Sequence, residues 1–379
     1  MSIYVVQPGN NIDEIALNYG VPVIQIIEDN QLVYPYELAV GQALLIRDGD
    51  ITGTGREIIS NGYAYPFISR WVLEQTLPYL SDLSVFSYGF TSEGELLSPL
   101  LDEQWMIFMA AQYGTRAILT LTPLGADGRF DNRLISAVVR NPQAQEKLLN
   151  ELLAVMEEKW YRGLDIDFEY VLEEDRDYFT EFVQICTQVM HEYGYTVSVA
   201  LAPKTSAEQP GLLYAGKDYR ALGEAADSVL LMTYEWGYKY GPPMAVAPLN
   251  KVRQVAEYAV TEILPSKISL GIPNYGYDWP LPFIQDQTAA KTIGNIEAVR
   301  IAIHYGAEIQ FDEIARSPFF HYFDEIGVEH EVWFEDVRSL QGKFDLIDEF
   351  FLRGPGYWQI MQLFRVNWLL LAERFRVKK

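Results

Sequence analysis

Apolar positions over residues 1–48 change period twice. Ile3, Tyr4, Val5 and Val6 form a short strand-like run closed by Pro8 and Gly9. Ile12, Ile15, Ala16 and Tyr19 then recur at helical spacing, with Asn10 or Asn11 placed to cap the helix, Glu14 in its first turn and Gly20 ending it. A second helix opens at Pro22, a good first-turn residue, and carries Val23, Ile26 and Ile27. Gly41 leads into a last strand, Ala43-Leu44-Leu45-Ile46. The pattern predicts a small βααβ module over 1–48. Residues 49–56 are polar and contain Gly and Thr, which marks a linker and hinge.

From 57 to 379 the pattern becomes long-range alternation. Apolar β-rich runs fall at 58–63, 83–90, 116–121, 163–170, 196–201, 228–234, 268–274 and 355–361, with helical stretches between them, such as 143–159 and 175–192. Apolar strands alternating with helices predict a parallel sheet covered on both faces. Eight repeats predict a closed (β/α)8 TIM barrel, of the α/β class. The connection between the seventh and eighth runs, at roughly 80 residues, is too long for a simple crossover. Its segment 308–334 reads as a lobe of short strands, so an α+β insertion at about 280–335 is expected to wall one side of the barrel mouth.

One strand stands apart chemically: Arg162-Gly163-Leu164-Asp165-Ile166-Asp167-Phe168-Glu169-Tyr170. Side chains alternate along a strand, so Asp165, Asp167 and Glu169 share one face, while Leu164, Ile166, Phe168 and Tyr170 share the other. The apolar set is expected against the helices and the acidic set inside the barrel. Carboxylates spaced about 7 Å apart there raise one another's pKa, and burial raises them further. A purely structural role would need a buried cation or metal, and no His lies nearby in the sequence. The alternative is that one carboxyl is kept protonated near neutral pH as a general acid. Glu169, last in the file, is nearest the C-terminal mouth, where such barrels carry their chemistry.

Composition narrows the substrate. Lys and Arg total 29 against 52 Asp and Glu, a net charge of −23, which disfavours nucleic acid and anionic membrane surfaces and suits a neutral polymer. The 25 Tyr and 8 Trp include more flat, polar-edged faces than a core needs, and such faces stack on sugar rings, although most serve ordinary packing. The single Cys186 lies in a helical stretch and is expected to pack as a small hydrophobe. No apolar run approaches the roughly 18 residues of a membrane-spanning helix. The start, MSIYVVQPGNN, lacks the features of a signal peptide, so synthesis in the cytoplasm without export by that route is expected.

Over 1–48 the chain resembles a LysM domain, through Tyr4-Val5-Val6-Gln7-Pro8-Gly9, Tyr19-Gly20-Val21, Asn30, Val40-Gly41-Gln42 and Leu45-Ile46. That resemblance implies an N-acetylglucosamine-binding groove at Gly9, Asn10, Asn11, Ile12, Asn30 and Leu32. Asn10-Asn11 stands where the family often has Asp-Thr. A module that only packs or docks on other proteins is the alternative. Over 57–379 the chain resembles glycoside hydrolase family 18, the chitinase-like barrels. Asp165, Asp167 and Glu169 match its Asp-x-x-Asp-x-Asp-x-Glu signature, Met232-Thr233-Tyr234 its Met-x-Tyr, Leu270-Gly271-Ile272-Pro273 its strand-seven motif and Trp358 its floor tryptophan. Arg162 replaces the first acid of the signature, and could tune the inner pair toward ionisation.

The family resemblance implies roles. Glu169 would protonate the leaving oxygen and then activate water, Asp167 would orient the substrate's own acetamido nucleophile, Asp165 would share a proton with Asp167, and Tyr234 would bond the acetamido carbonyl. Trp358, Met232, Tyr63, Glu235, Asn274 and Trp333 would line the sugar. Retention of configuration follows, with no cofactor and no metal. A narrower likeness, through residues 61–67, 232–238, 305–309, 333–336 and 367–371, is to LysM-bearing hydrolases of bacterial spores that act on cortex peptidoglycan. It implies assembly onto the spore. A conventional chitinase, or a non-catalytic glycan-binding or spore-coat protein on an inactive barrel, are the other readings, and the sequence leaves the oligomeric state open.

Overall fold

The computed structural model describes residues 1–51, 53 and 55–379. Eight parallel strands close into a barrel: Asn61–Ala64, Asp82–Phe90, Arg116–Leu121, Gly163–Ile166, Thr196–Leu201, Ser228–Leu231, Ile268–Pro273 and Gly354–Trp358, each paired to the next and the last to the first. They are barrel strands one to eight. Helices sit outside, and local sequence explains their starts. Pro142–Lys159 begins behind Asn141, whose side chain accepts from the N–H groups of Gln143 and Ala144, with Pro142 in the first turn where a missing N–H costs nothing. Arg176–Glu192 buries Phe179, Phe182, Val183, Cys186 and Met190 on one stripe against the barrel.

Three boundaries depart from expectation. The run at 58–63 is two pieces: Glu57–Ile58 pairs with the C-terminal strand Arg376–Val377, and only Asn61–Ala64 enters the barrel. Strands four and six end at Ile166 and Leu231, short of Tyr170 and Tyr234, so the motif residues beyond them lie in the loops at the mouth. The insertion starts earlier than 280, with a strand at Gly276–Pro280. It forms a five-stranded antiparallel sheet, Gly276–Pro280, Lys291–Ile293, Gln310–Asp312, Ser317–Phe323 and Glu329–Trp333, backed by helix Asn295–Tyr305.

The N-terminal module has the expected order: Ser2–Val5, helices Ile12–Tyr19 and Val23–Asp29, and Ala43–Ile46 antiparallel to the first strand. Asn11, not Asn10, is the cap, and Pro22 precedes rather than opens the second helix. The hinge expected at 49–56 includes residues 52 and 54, which lie outside the described residues. The module is docked on the barrel domain: Ile309 N–H donates to Val40 O at 2.8 Å, Gln31 Nε2 to Leu363 O at 3.2 Å, and Arg365 N–H to Gln31 Oε1 at 2.6 Å. Ala39 packs into the lobe core with Ile309, Phe320 and Phe334. Swinging about 49–56 would break all of these.

Candidate active site

The acid file is set by strand four. Leu164, Ile166 and Phe168 are fully buried, and Phe168 stacks on Phe182 with ring centres 5.9 Å apart. Asp165 therefore points inward, where Tyr63 OH donates to it at 2.8 Å and Ser198 Oγ at 2.5 Å. Burial raises the Asp165 pKa, and those two donors restrain the rise. The strand pairing ends at Ile166, but the Asp167 N–H still donates to Leu121 O at 2.9 Å, which carries the alternation one residue further. Asp167 is 9% exposed and its Oδ1 has no hydrogen-bond partner. Burial, then the Glu169 and Asp165 charges, push its pKa well above the carboxylate range.

Glu169 emerges at the rim. Its carboxyl opens to the cleft while protein crowds its other sides, and this desolvation raises its pKa. With Asp167, Phe86, Pro123, Phe130 and Tyr170 it lines a cavity of about 220 Å³. Tyr170, expected against the helices, is 40% exposed and faces this cleft, because the pleat that fixes alternation has ended. A larger cavity of about 430 Å³ lies between the N-terminal module and the lobe, but it contains none of the acid file. The chemistry marks the smaller one.

Beside the acids, Trp358 meets Phe86 edge-to-face at 4.9 Å, Tyr63 at 5.8 Å and Tyr65 at 6.1 Å, with Met232 packed on the same cluster. Half-buried Tyr234 faces the file: burial first, then the Asp167 and Glu169 charges, raise its phenol pKa well above the usual value. Glu235, held at φ 66, accepts from Tyr275 OH and from Tyr277 OH at 2.9 Å, which ties the loop after strand six to the lobe. A left-handed non-glycine residue costs energy and persists where its surroundings over-determine it. Glu235 belongs to the mouth.

Two expected sugar contacts are otherwise engaged. The Asn274 amide NH2 donates to the carbonyls of Gln359 and Gln362 at 3.1 and 2.9 Å, bracing the loop after strand eight. Trp333 stacks on Phe319 at 4.6 Å inside the lobe, with its N–H on Glu331. In the N-terminal module, Asn30 is buried, with its amide bonded to the carbonyls of Ile26 and Leu45 and the N–H of Leu45. Asn11 caps a helix, Asn10 accepts from Tyr4 OH and the Gln7 N–H, and Ile12 and Leu32 pack in the module core. Gly9 makes an open turn at φ 84. What remains accessible is a cleft of about 640 Å³ lined by Pro8, Asn10 and Asn11 on one side and Gly306 and Ala307 of the lobe on the other.

The expected tuning by Arg162 is not what the fold provides. Arg162 is exposed at the opposite end of strand four, its backbone pairing with Ala117 and Thr196, and the cation acting on the acids is Lys217. Lys217 is buried in the loop after strand five, with its ammonium on the carbonyl oxygen of Phe168. Burial outweighs its field at Asp167 and Glu169. Sequence reading missed it because an isolated lysine between Gly216 and Asp218 carries no signal of depth.

The family description Glycosyl hydrolases family 18 matches residues 116–362, and LysM domain matches 4–47. Cortical fragment-lytic enzymes of Bacillus subtilis (strain 168) and Bacillus anthracis are 35% and 37% identical, each alignment covering 100% of this chain and 99% of the relative. The crystal structure of the spore cortex-lytic enzyme SleL of Bacillus megaterium QM B1551 superposes with a TM-score of 0.93 at 33% identity, covering 100% of this chain and 98% of the other. With the acid file at the mouth of a closed barrel and likeness along its full length, this chain belongs to glycoside hydrolase family 18 and carries an N-terminal LysM domain.

Proposed function

We propose that this glycosidase cleaves β-linked N-acetylglucosamine in spore cortex peptidoglycan, with Glu169 as its acid and base. The observation that carries the reading is the adjacency of Asp167 and Glu169 at the cleft, both with pKa raised by burial. Two neighbouring carboxyls held this way favour a state with one proton between them. Glu169, which reaches the cleft, gives that proton to the leaving glycosidic oxygen. The substrate's acetamido oxygen attacks C1 from the opposite face, and Asp167 accepts from the acetamido N–H and steadies the positive charge on the ring that forms. Ionised Glu169 then takes a proton from water as the water adds to C1 and the acetamido group is restored, with configuration retained. Asp165, held by Tyr63 and Ser198, fixes the lower end of the file. Tyr234, which faces the acid file, bonds the acetamido carbonyl in this reading, and the aromatic cluster around Trp358 supports the sugar face.

The choice of cortex over chitin rests on likeness along the full chain to proteins named for cortical fragments and spore cortex. Assembly onto the spore is part of the same proposal. Glu169→Gln is the test, with reducing ends released from soluble cortex fragments and from chitin oligomers as readout. The variant should fold normally and lose at least 100-fold in turnover. Near wild-type rates would remove Glu169 from its role, and wild-type preference for chitin oligomers would replace the substrate.

A further inference from the structure

We propose that Lys217 is a positioning residue of this active site: its buried ammonium, anchored on the carbonyl oxygen of Phe168, sets the ionisation of the Asp167–Glu169 pair and fixes the backbone from which Glu169 projects. The inference rests on the reading of Glu169 as the acid.

Phe168 is the residue between the two carboxylates, and its carbonyl leads directly into the Glu169 peptide. Lys217 is 1% exposed, with its ammonium 4.6 Å from the Phe179 ring centre. The arrangement is built from behind. Lys204, also buried, donates from Nζ to Lys217 O and to Ala207 O, both at 2.9 Å, while the hydroxyl of Tyr219 accepts from the Lys204 N–H at 2.9 Å and donates to Ala202 O. A Cβ on Gly216 would overlap the carbonyls of Val171 and Leu172, so only glycine lets this loop press on the chain just past the acid.

A tether alone does not account for a lysine here. A buried ammonium with one neutral acceptor is unfavourable, and an apolar side chain of similar length would fill the space at lower cost. Burial lowers the Lys217 pKa to about 8, and the Asp167 and Glu169 charges act against that fall. The other titratable groups facing the pair are Asp165 on strand four, Tyr63 and Tyr65 from strand one and its loop, Tyr170 beside Glu169, and Tyr234 and Glu235 after strand six. Lys217 is the one cation in that set. Among the described residues it is the group whose charge offsets the upward push of burial on both carboxyls.

Lys217→Gln keeps a donor for Phe168 without the charge, and Lys217→Arg keeps the charge. A positive charge favours ionised carboxylates, so its loss raises both pKa values. Both limbs of the pH profile of kcat/KM on soluble cortex fragments should move to higher pH by about one unit in Lys217→Gln and return in Lys217→Arg. Limbs that stay in place while the rate falls would overturn the proposal and leave a mere tether. Coupling is reciprocal, so a second measurement needs no change at Lys217. NMR titration of its ¹⁵N-labelled ammonium should show a lower pKa in Glu169→Gln than in wild type, and an unchanged pKa would overturn the proposal. Undiminished turnover in Glu169→Gln would instead sink the acid assignment, which separates the two failures.

Discussion

Gly41 of the LysM domain lies so close to Ile309 of the lobe that a Cβ on Gly41 would overlap the Ile309 carbonyl oxygen. Beside it, Arg338 donates to the Gly41 carbonyl at 3.2 Å and Ile309 bonds Val40. The two units meet backbone to backbone, a tighter contact than side chains alone permit. One edge of the LysM cleft is thereby set against the same insertion that walls the active site, in a fixed relation to the mouth.

Gly41→Ala should therefore undo the docking. Gly41 sits at φ 82, which alanine disfavours, and its new methyl meets backbone that cannot rotate away. We expect a loss of about 1–3 kcal/mol, seen as a lower Tm, and protease cleavage within 49–56. Turnover of a small aryl N-acetylglucosaminide should be spared while release from cortex fragments falls. A Tm equal to wild type would show that the contact carries no stability.

Tyr63→Phe isolates the lower end of the acid file. Asp165 keeps only Ser198 as a donor, and since both hydrogen bonds oppose the upward shift from burial, its pKa rises further. Leaving a buried acceptor half-satisfied costs about 1–3 kcal/mol. Turnover should drop roughly tenfold if proton sharing between Asp165 and Asp167 matters. An unchanged rate in a destabilised variant would make Asp165 structural.

The barrel was legible because its strands are apolar runs between periodic helices, and the acid file because three acids at alternate positions of such a run are too unfavourable to be accidental. What stayed hidden arises across the chain. Tyr170 turned to the cleft because strand four ended at Ile166, and neither residue type nor spacing marks that point. Lys217 acquires meaning only when the loop after strand five folds against the chain between Asp167 and Glu169. The family resemblances put Asn30 and Asn274 on the sugar, yet their amides satisfy buried backbone groups. The docking of the N-terminal module carried no sequence signal because the residues that hold it, Gln31, Val40 and Gly41, are ordinary loop residues until Ile309 and Leu363 arrive.

Carboxyls desolvated by the fold make stability depend on pH in an unusual direction. Asp165, Asp167, Glu169 and Glu335 all have folded pKa values above the ordinary range, with burial as the leading cause. A group raised in the folded state stabilises fully below its unfolded pKa, and that contribution is lost as pH rises through the folded value. Asp48, Glu93, Asp131, Asp324 and Glu349 are shifted the other way, and their contribution is lost only as pH drops through their lowered values. Lys217 and Lys379, both lowered to about 8, are charged throughout the window from 7 to 5 and add little slope there. Protonation also relieves the self-repulsion of a chain carrying −23. Tm should thus rise on going from pH 7 to pH 5, and Asp167→Asn should flatten part of that rise by removing a titrating group. A Tm that falls steadily over this interval would mean that these carboxyls ionise as readily in the fold as outside it, and the raised pKa on which Glu169 depends would go with it.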